Sequence, residues 1–305
     1  MQISKQKAAS RAAPSIAACY FRPPSAAWSV RSSRSMTQQH SPDLERRFGG
    51  LARLYGTEGA ARIRAARVAV VGIGGVGSWA AEALARSGVG AITLVDLDNV
   101  AESNVNRQIH ALTSTLGQPK VEAMRQRIAL IHPGCEVHCV EDFAAPGNWP
   151  ALLPAAVDGV IDACDQVHAK QALAAWALKT RALFITCGAA GGKRQGERVE
   201  IADLAEVTHD PLMAALRARL RQTGSMAKGG KDGKDRQARS GLHVVFSREA
   251  VTRPAACGPQ PGHDRNLNCH GYGSAVTVTA TFGLVAAGWM LGRLAQGRAL
   301  QHPHT

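Results

Sequence analysis

The chain has 305 residues, of which 45% are hydrophobic, and a formal net charge of +13. This length suffices for one large α/β domain or two small ones, and the composition predicts a packed globule rather than a disordered chain. The positive charge suits a polyanionic partner such as RNA, but basic proteins without such a partner also occur. Charge alone therefore does not decide whether this protein binds RNA.

The N-terminal segment 1–42 is rich in Ala, Ser, Arg and Pro, with six basic residues and no acidic one. It lacks the long apolar stretch of a secretory signal, although its composition resembles a transit peptide. We interpret it as a disordered tail or as the product of a start codon assigned too early, with Met36 as the alternative to Met1. Residues 43–305 are then predicted to form a single domain.

Strands and helices alternate through the next part of the chain. A glycine-interrupted helix over 44–64 comes first. The predicted elements after it are strand 67–71, helix 76–87, strand 91–96, helix 117–131, strand 136–140, strand 157–163, helix 166–179 and strand 182–187. This order predicts an α/β fold with a Rossmann-like, doubly wound parallel sheet. Pro119 is expected within the first turn of its helix, where proline is tolerated.

The pattern changes after residue 197 and predicts a C-terminal α+β extension. Its elements are a strand over 197–204, a basic helix over 210–222, a flexible basic loop over 224–241 and a strand over 243–249. A second loop, 254–272, is rich in Gly, Pro and Asn and contains Cys257 and Cys269, whose roles the sequence leaves open.

The last segment, 273–296, carries no charge from Ala275 to Leu291 and approaches the roughly 20 residues that a membrane span needs. Three Thr and two Gly make it only moderately hydrophobic. We therefore favour a terminal apolar helix packed against the sheet, with membrane contact as the alternative.

Seven cysteines, an odd number without a C-x-x-C pair, are spread over the chain. Without a secretory signal they predict a reducing, cytoplasmic compartment, or membrane association if 273–296 serves as an anchor. Cys135 and Cys139 lie beside His132 and His138, but neighbouring strand residues face opposite sides, so we expect no joint metal site there.

A nucleotide-binding pattern follows the first strand. Gly72, Gly74 and Gly77 form G-x-G-x-x-G between an apolar strand and a helix, and Asp96 ends the next strand at the position of a ribose-binding acid. Glycine permits a tight turn and a close backbone approach, and helix N-terminal amides favour phosphate.

Polar and cationic residues after Asp96 indicate a nucleotide that is consumed. A dehydrogenase does not need cations beside its phosphates, whereas Arg107 and Lys120 would neutralise charge as pyrophosphate departs. Asp162 and Asp165 end a further strand, at the sheet edge where ligands bind, and a carboxylate there can hold magnesium against phosphate oxygens. As alternatives, the two cations are surface charges and Asp165 is a helix N-cap.

The ordered set G-x-G-G-x-G, D-x-D, S-N-x-x-R-Q, G-Q-P-K and D-x-x-D resembles the ThiF/MoeB/HesA group of the ubiquitin-activating-enzyme superfamily, over about 44–200. The resemblance implies ATP-dependent adenylation. It implies that Gly72, Gly74, Gly75 and Gly77 frame ATP, that Asp96 binds the ribose, and that Asp165 positions Mg²⁺. The phosphate contacts would come from Asn104, Arg107 and Lys120, with Asp98, Ser103 and Gln108 beside them.

Members of this group are typically dimers that borrow an arginine from the partner subunit. The usual R-x-x-R is incomplete here, so Arg47 or Arg53 would serve. The two C-x-x-C zinc pairs of many carrier-protein activators are absent from the sequence.

Further matches at 47–56, 104–112, 210–212, 244–247 and 277–283 resemble the dehydratase branch of the group. That branch implies cyclisation of N6-threonylcarbamoyladenosine at position 37 of tRNA through an acyl-adenylate, with no protein nucleophile. The anticodon arm would bind Lys193, Arg194, Arg217, Arg219, Arg221 and the loop 228–239. The alternatives are adenylation of a sulfur-carrier C-terminus, an NAD-dependent oxidoreductase, and a scaffold for a cysteine desulfurase system.

Overall fold

A seven-stranded sheet forms the centre of the computed structural model, which describes residues 42–226, 239–252 and 272–297. The described residues belong to one structural unit, Pro42–Thr305. The strands are β1 (Arg67–Val71), β2 (Ala91–Val95), β3 (Glu136–Val140), β4 (Gly159–Asp162), β5 (Phe184–Cys187), β6 (Val199–Asp203) and β7 (His243–Ser247).

The helices of the described ranges include two that flank the first strand and one that is the last described element. They are α1 (Leu44–Ala65), α2 (Gly77–Arg86), α3 (Lys120–Ile131), α4 (Val167–Thr180), α5 (Pro211–Gln222) and α6 (Val276–Ala295). The α1 helix is kinked at Gly56, which adopts φ 75° and ψ 162°, so the predicted glycine interruption is confirmed.

The strand order is β3-β2-β1-β4-β5-β7-β6, and all neighbours are parallel except β6 and β7. The predicted Rossmann-like sheet is confirmed. The chain runs outward from β1 through β2 to β3 and then returns to β4 on the other side of β1. Ligands of such sheets bind at this reversal, outside the carboxyl ends of the strands.

The two faces of the sheet bury alternate residues of β1. Val68 and Val70 pack with α1, α2, α3 and α6, whereas Ala69 and Val71 pack with α4 and α5. The alternation follows from the two-residue side-chain period of a strand, and burial on both faces explains why β1 is apolar throughout.

The α6 helix packs chiefly on α2 and α1. Its length and apolar composition are sufficient for a membrane span. In the fold, Val278, Phe282, Ala286, Met290 and Leu294 are buried in the core beside the sheet. This is the packing that we favoured for the terminal helix, and Gly283 permits it because a Cβ there would meet the backbone of α2.

One predicted boundary changes for a physical reason. The α3 helix begins at Lys120, and Pro119 precedes it with ψ 134°; Gly117 adopts φ 82°, and Pro119 forms a β-bridge with Asn99. The expectation that Pro119 lies in the first helical turn is therefore wrong. The C-terminal strands also join the main sheet, with β7 parallel to β5 and β6 antiparallel at the edge.

Several sequence predictions concern residues outside the described ranges. These are the interpretation of 1–41, both possible starts, residues 227–238 of the basic loop, and the roles of Cys257 and Cys269.

Candidate functional site

A cleft opens where the strand order reverses, and it consists of two adjoining cavities. The first is lined by Gly72, Asp96 and Phe143 among others, and the second by Arg107, Gly191 and Tyr272 among others. Both cavities share Gly74, Asp98, Lys120, Ala163, Cys164 and Asp165. The shared residues make the two cavities one continuous site.

The glycine loop forms one wall. Gly72 adopts φ 87°, and a Cβ there would lie 2.8 Å from the Cys164 amide nitrogen. Gly74 lines both cavities and Gly75 lines the second. Gly77 lies at neither, and its lack of a Cβ lets α2 start directly against the Gly72 carbonyl. The glycines therefore serve both close backbone approach and helix packing.

Asp96 is buried at the end of β2. Its Oδ2 accepts a hydrogen bond from the Ile73 amide at 2.6 Å and its Oδ1 accepts one from the Asp98 amide at 2.9 Å. Burial raises the pKa of Asp96, while the nearby Lys120 and the two amide donors oppose this shift. The carboxylate thus holds the glycine loop and also faces the first cavity, where a ribose-binding acid is expected.

Lys120 is the first residue of α3 and is 6% exposed. Its Nζ donates to Asp98 Oδ2 at 2.6 Å and lies 3.9 Å from Asp96 Oδ1. The interpretation of Lys120 as an ordinary surface charge is therefore wrong. An ammonium held at the junction of the two cavities suits a phosphate chain that crosses from one to the other.

The polar segment 102–108 wraps around the second cavity. Asn104 is buried, and its Oδ1 accepts from the Ala101 amide at 3.0 Å. Arg107 donates from Nη1 to the Ser103 carbonyl at 2.6 Å, which folds its guanidinium back over this turn. Gln108 Oε1 is buried without a hydrogen-bond partner among the described residues, so it can accept from a ligand or water.

Asp165 lies in the turn between β4 and α4 and faces both cavities. It is not the N-cap of α4, since that position belongs to Gln166. Asp162, predicted at the same edge, is instead fully buried: its Oδ1 lies 3.1 Å from Lys170 Nζ, and its Oδ2 accepts from Thr186 Oγ1 at 2.7 Å. Asp162 thus supports the turn that carries Asp165 and does not face a ligand.

The structure adds site residues that the sequence analysis missed. Asp142, Phe143 and Ala144 line the first cavity from the loop after β3, and they are there because β3 is parallel to β2 and ends at the same edge. The segment 188–191, Tyr272 and Ser274 line the second cavity. The positions of 142–144 and 188–191 after the ends of β3 and β5 were the available signal, whereas Tyr272 and Ser274 precede α6 and follow no strand end.

The four described cysteines are unsuited to nucleophilic chemistry. Burial raises the pKa of Cys135 and Cys187 to about 12 and that of Cys139 to about 11. Burial also raises the pKa of Cys164, which lines the cleft and donates from Sγ to Asp162 Oδ1 at 2.8 Å. Thiols of this kind are not thiolates at neutral pH.

The predicted basic surface requires a correction. Lys193 is 2% exposed and its Nζ donates inward to backbone carbonyls. Arg217 is half-buried and donates to the carbonyls of Leu204 and Val207. The prediction that Lys193 contacts tRNA from the surface is therefore wrong, and the Arg217 guanidinium is partly engaged by its own chain. Arg194 is exposed, and Arg219 and Arg221 are half-buried.

The chain is similar to known proteins over most of its length. The model of the ThiF family matches residues 48–300. The chain is 42% identical over 262 residues to the tRNA threonylcarbamoyladenosine dehydratase of Escherichia coli (strain K12), covering 84% of this chain and 96% of that protein. It is 39% identical to the Haemophilus influenzae dehydratase, covering 83% and 94%. The crystal structure of the E. coli enzyme in complex with ATP matches with a TM-score of 0.73 at 42% identity, covering 84% of this chain and 97% of that one.

Proposed function

The chain belongs to the ThiF family, and from this premise we propose that it is an ATP-dependent tRNA-modifying dehydratase. It activates the carboxylate of N6-threonylcarbamoyladenosine at position 37 of tRNA as an acyl-adenylate and cyclises the product to the hydantoin form. Similarity to the E. coli dehydratase, which covers 96% of that protein's length, supports this function.

The observation that carries the proposal is the continuous cleft. Eleven of the twelve predicted site residues line it, and Gly77 supports it from the start of α2. The first cavity offers Asp96 to a ribose and the 142–144 loop to a base. The junction offers the Lys120 ammonium to phosphates, and the second cavity leaves room for the substrate carboxylate.

Cyclisation needs an activated carbonyl, because a free carboxylate is a poor electrophile. Attack of the threonyl carboxylate on the α-phosphorus of ATP forms the acyl–phosphate bond and releases pyrophosphate. A nitrogen of the same modification then attacks the activated carbonyl and AMP leaves. The protein contributes positioning and charge stabilisation rather than a covalent intermediate, in agreement with four described thiols of raised pKa.

Lys120 and Arg107 have distinct parts in this scheme. The Lys120 ammonium exchanges Asp98 for phosphate oxygens and stabilises charge that moves toward the leaving pyrophosphate. The Arg107 guanidinium, held by the Ser103 carbonyl, reaches the phosphates from the second cavity, with the Asn104 turn fixing its position. Asp96 orients the ribose and holds the Ile73 amide at the same time.

The residues of the cleft fit Mg²⁺ when it is carried by ATP. Mg²⁺ commonly keeps water and binds one or two carboxylates together with phosphate oxygens. Asp165 supplies an exposed carboxylate at the junction. The described residues contain no cluster of three His, Cys, Asp or Glu that would hold a metal alone. Bound there, Mg²⁺ would neutralise phosphate charge.

We further propose a homodimer in which Arg53 serves the partner's site. The Arg47 guanidinium donates to the Ile131 carbonyl of its own chain at 2.7 Å. Arg53 is exposed and forms no hydrogen bond or ion pair with any described residue. Of the two candidates, Arg53 is therefore the one whose guanidinium is available to a second subunit.

The remaining partner assignments are also proposals. The tRNA anticodon arm contacts Arg194, which is exposed and follows the 188–191 segment of the second cavity, and Arg219 and Arg221 in the last turn of α5. The protein acts in the cytoplasm, with a cysteine desulfurase system as a further partner. The alternative to this location is membrane contact through 273–296.

Mass spectrometry of tRNA nucleosides tests the function directly. Incubation of threonylcarbamoylated tRNA with ATP and the protein is expected to convert the nucleoside to one lighter by one water, with release of pyrophosphate. The Arg107→Ala, Lys120→Ala double variant is expected to lose this activity, and Lys179→Ala, an exposed lysine of α4, is the matched control.

Three outcomes would contradict the proposal. Pyrophosphate exchange that depends on a sulfur-carrier C-terminus and not on tRNA would favour carrier activation. Calorimetry that detects NAD but not ATP would favour an oxidoreductase. Full activity in the double variant would contradict the roles assigned to Arg107 and Lys120.

A further inference from the structure

The Lys193 ammonium lies in a cage of three backbone carbonyl oxygens. Its Nζ donates to the carbonyls of Ser247 at 2.8 Å, Glu249 at 2.9 Å and His209 at 3.4 Å. An ammonium has three N–H donors, so the cage matches its full capacity. Burial lowers the pKa of Lys193, and the nearby carboxylates of Asp210 and Glu249 oppose that shift.

The Glu249 carboxylate completes the arrangement in the opposite direction. It accepts from the Arg194 amide at 2.9 Å and from the Gln195 amide at 2.9 Å. The side chain of Lys193 thus ties to the segment of Glu249, while the side chain of Glu249 ties to the segment of Lys193. Each charged group is buried and satisfied by main-chain partners that a single conformation of both segments provides.

Other contacts show that the same loop is held at each end. The Ala189 amide donates to Asp210 Oδ2 at 2.9 Å, and the Thr252 amide donates to the Gly192 carbonyl at 2.8 Å. His209, which supplies the third carbonyl of the cage, adopts φ 57°, a conformation uncommon for a residue other than glycine. A backbone held in such a conformation, with its carbonyl accepting from Lys193, points to a positional requirement.

The loop between these attachments forms a wall of the second cavity, which Gly188, Ala189, Ala190 and Gly191 line. Lys193 and Glu249 do not line either cavity themselves. We propose that Lys193 and Glu249 are positioning residues that hold the 188–191 wall in the conformation that receives the substrate carboxylate. The proposal rests on the proposed function for the identity of that substrate.

The contacts of Lys193 and Glu249 are separate from those that form the nucleotide half of the cleft. The Asp96 and Lys120 contacts come from β2 and α3, on the other side of β1 from β5 and β7. Loss of the Lys193 cage is therefore expected to change the rate of the chemical step and to leave ATP affinity within about twofold. A displacement of the wall by about 1 Å can reduce that rate by about 100-fold.

Lys193→Met and Glu249→Gln test the proposal in the full-length chain, with Lys179→Met and Glu206→Gln as matched controls at exposed positions. Hydrogen exchange of a peptide that spans 188–195, measured without substrate, is expected to be faster in both test variants and unchanged in both controls. Calorimetry is expected to give an ATP affinity close to wild type, and single-turnover cyclisation at saturating ATP is expected to fall about 100-fold.

Chemical rescue separates positioning from general destabilisation. Lys193→Ala keeps the carbonyl cage and opens the space of the lysine stem, so n-propylammonium is expected to restore the rate with saturation. Wild-type exchange and rate in Lys193→Met would overturn the proposal. So would a loss of ATP affinity parallel to the loss of rate. If the wild-type protein converts no tRNA, only the proposed function fails. The role of Lys193 is then still decided by hydrogen exchange of the 188–195 peptide in the variants, and by whether n-propylammonium restores the protection of that peptide in Lys193→Ala.

Discussion

The buried pair of Asp162 and Lys170 permits a quantitative test of how the cleft is supported. Both side chains are fully buried, 3.1 Å apart. Burial lowers the pKa of Lys170, but Asp162 together with Cys164 and Cys187 outweighs burial, so the pKa of Lys170 is raised. Lys170→Met removes one partner and leaves the Asp162 carboxylate buried, which costs about 3–5 kcal/mol in comparable pairs.

The expected value lies near the lower end of that range. Asp162 keeps hydrogen bonds from Thr186 Oγ1, the Cys164 amide and Cys164 Sγ at 2.7, 3.2 and 2.8 Å. We therefore expect Lys170→Met to lower the free energy of unfolding by about 3 kcal/mol, out of a total of about 5–15 kcal/mol for a typical protein. Asp162→Asn combined with Lys170→Met is expected to recover part of this loss because no unpaired charge is then buried.

Urea unfolding followed by tryptophan fluorescence measures both variants, and Lys179→Met serves as the exposed control. A change of less than about 1 kcal/mol in Lys170→Met, the size of a surface substitution, would refute the reasoning. Equal losses in the single and double variants would show that the uncompensated carboxylate is not the source of the cost.

Three further results are expected. Gly72→Ala adds a Cβ 2.8 Å from the Cys164 amide at φ 87°, so calorimetry should show weakened ATP binding and urea unfolding a loss of about 1–3 kcal/mol; wild-type ATP affinity would contradict this. His110 is buried and neutral, because burial lowers its pKa from 6.5 to about 4. The unfolded chain therefore binds the proton first, and the stabilisation present above pH 6.5 is lost as the pH falls toward about 4, a change of up to about 3 kcal/mol that His110→Gln should remove from the pH–stability curve. Iodoacetamide labelling of the native protein at mildly alkaline pH, analysed by peptide mass spectrometry, should be slow at Cys135, Cys139 and Cys187, whose pKa values burial raises to about 11–12; rapid labelling there would show that these thiols are accessible.

Much of the fold followed from local patterns. The β1 strand, the glycine loop and α2 were predictable because each depends on neighbours in the chain: an apolar run, glycines where a Cβ would clash, and a helix that starts at Gly77. The boundary of α3 was not, since Pro119 is held outside the helix by its bridge to Asn99, which is a contact between segments twenty residues apart.

The site divides in the same way. The sequence by itself determined the ordered set from Gly72 to Asp165, because residue types with the right chemistry recur at fixed distances after strand ends. Tertiary structure decided which charges face the ligand. Lys120 faces the cleft whereas Lys193 turns inward, and Asp165 lines the cavities whereas Asp162 pairs with Lys170. Strand order brings distant segments to one edge and sets which of them can bury a charge, and that order is not encoded in any one motif.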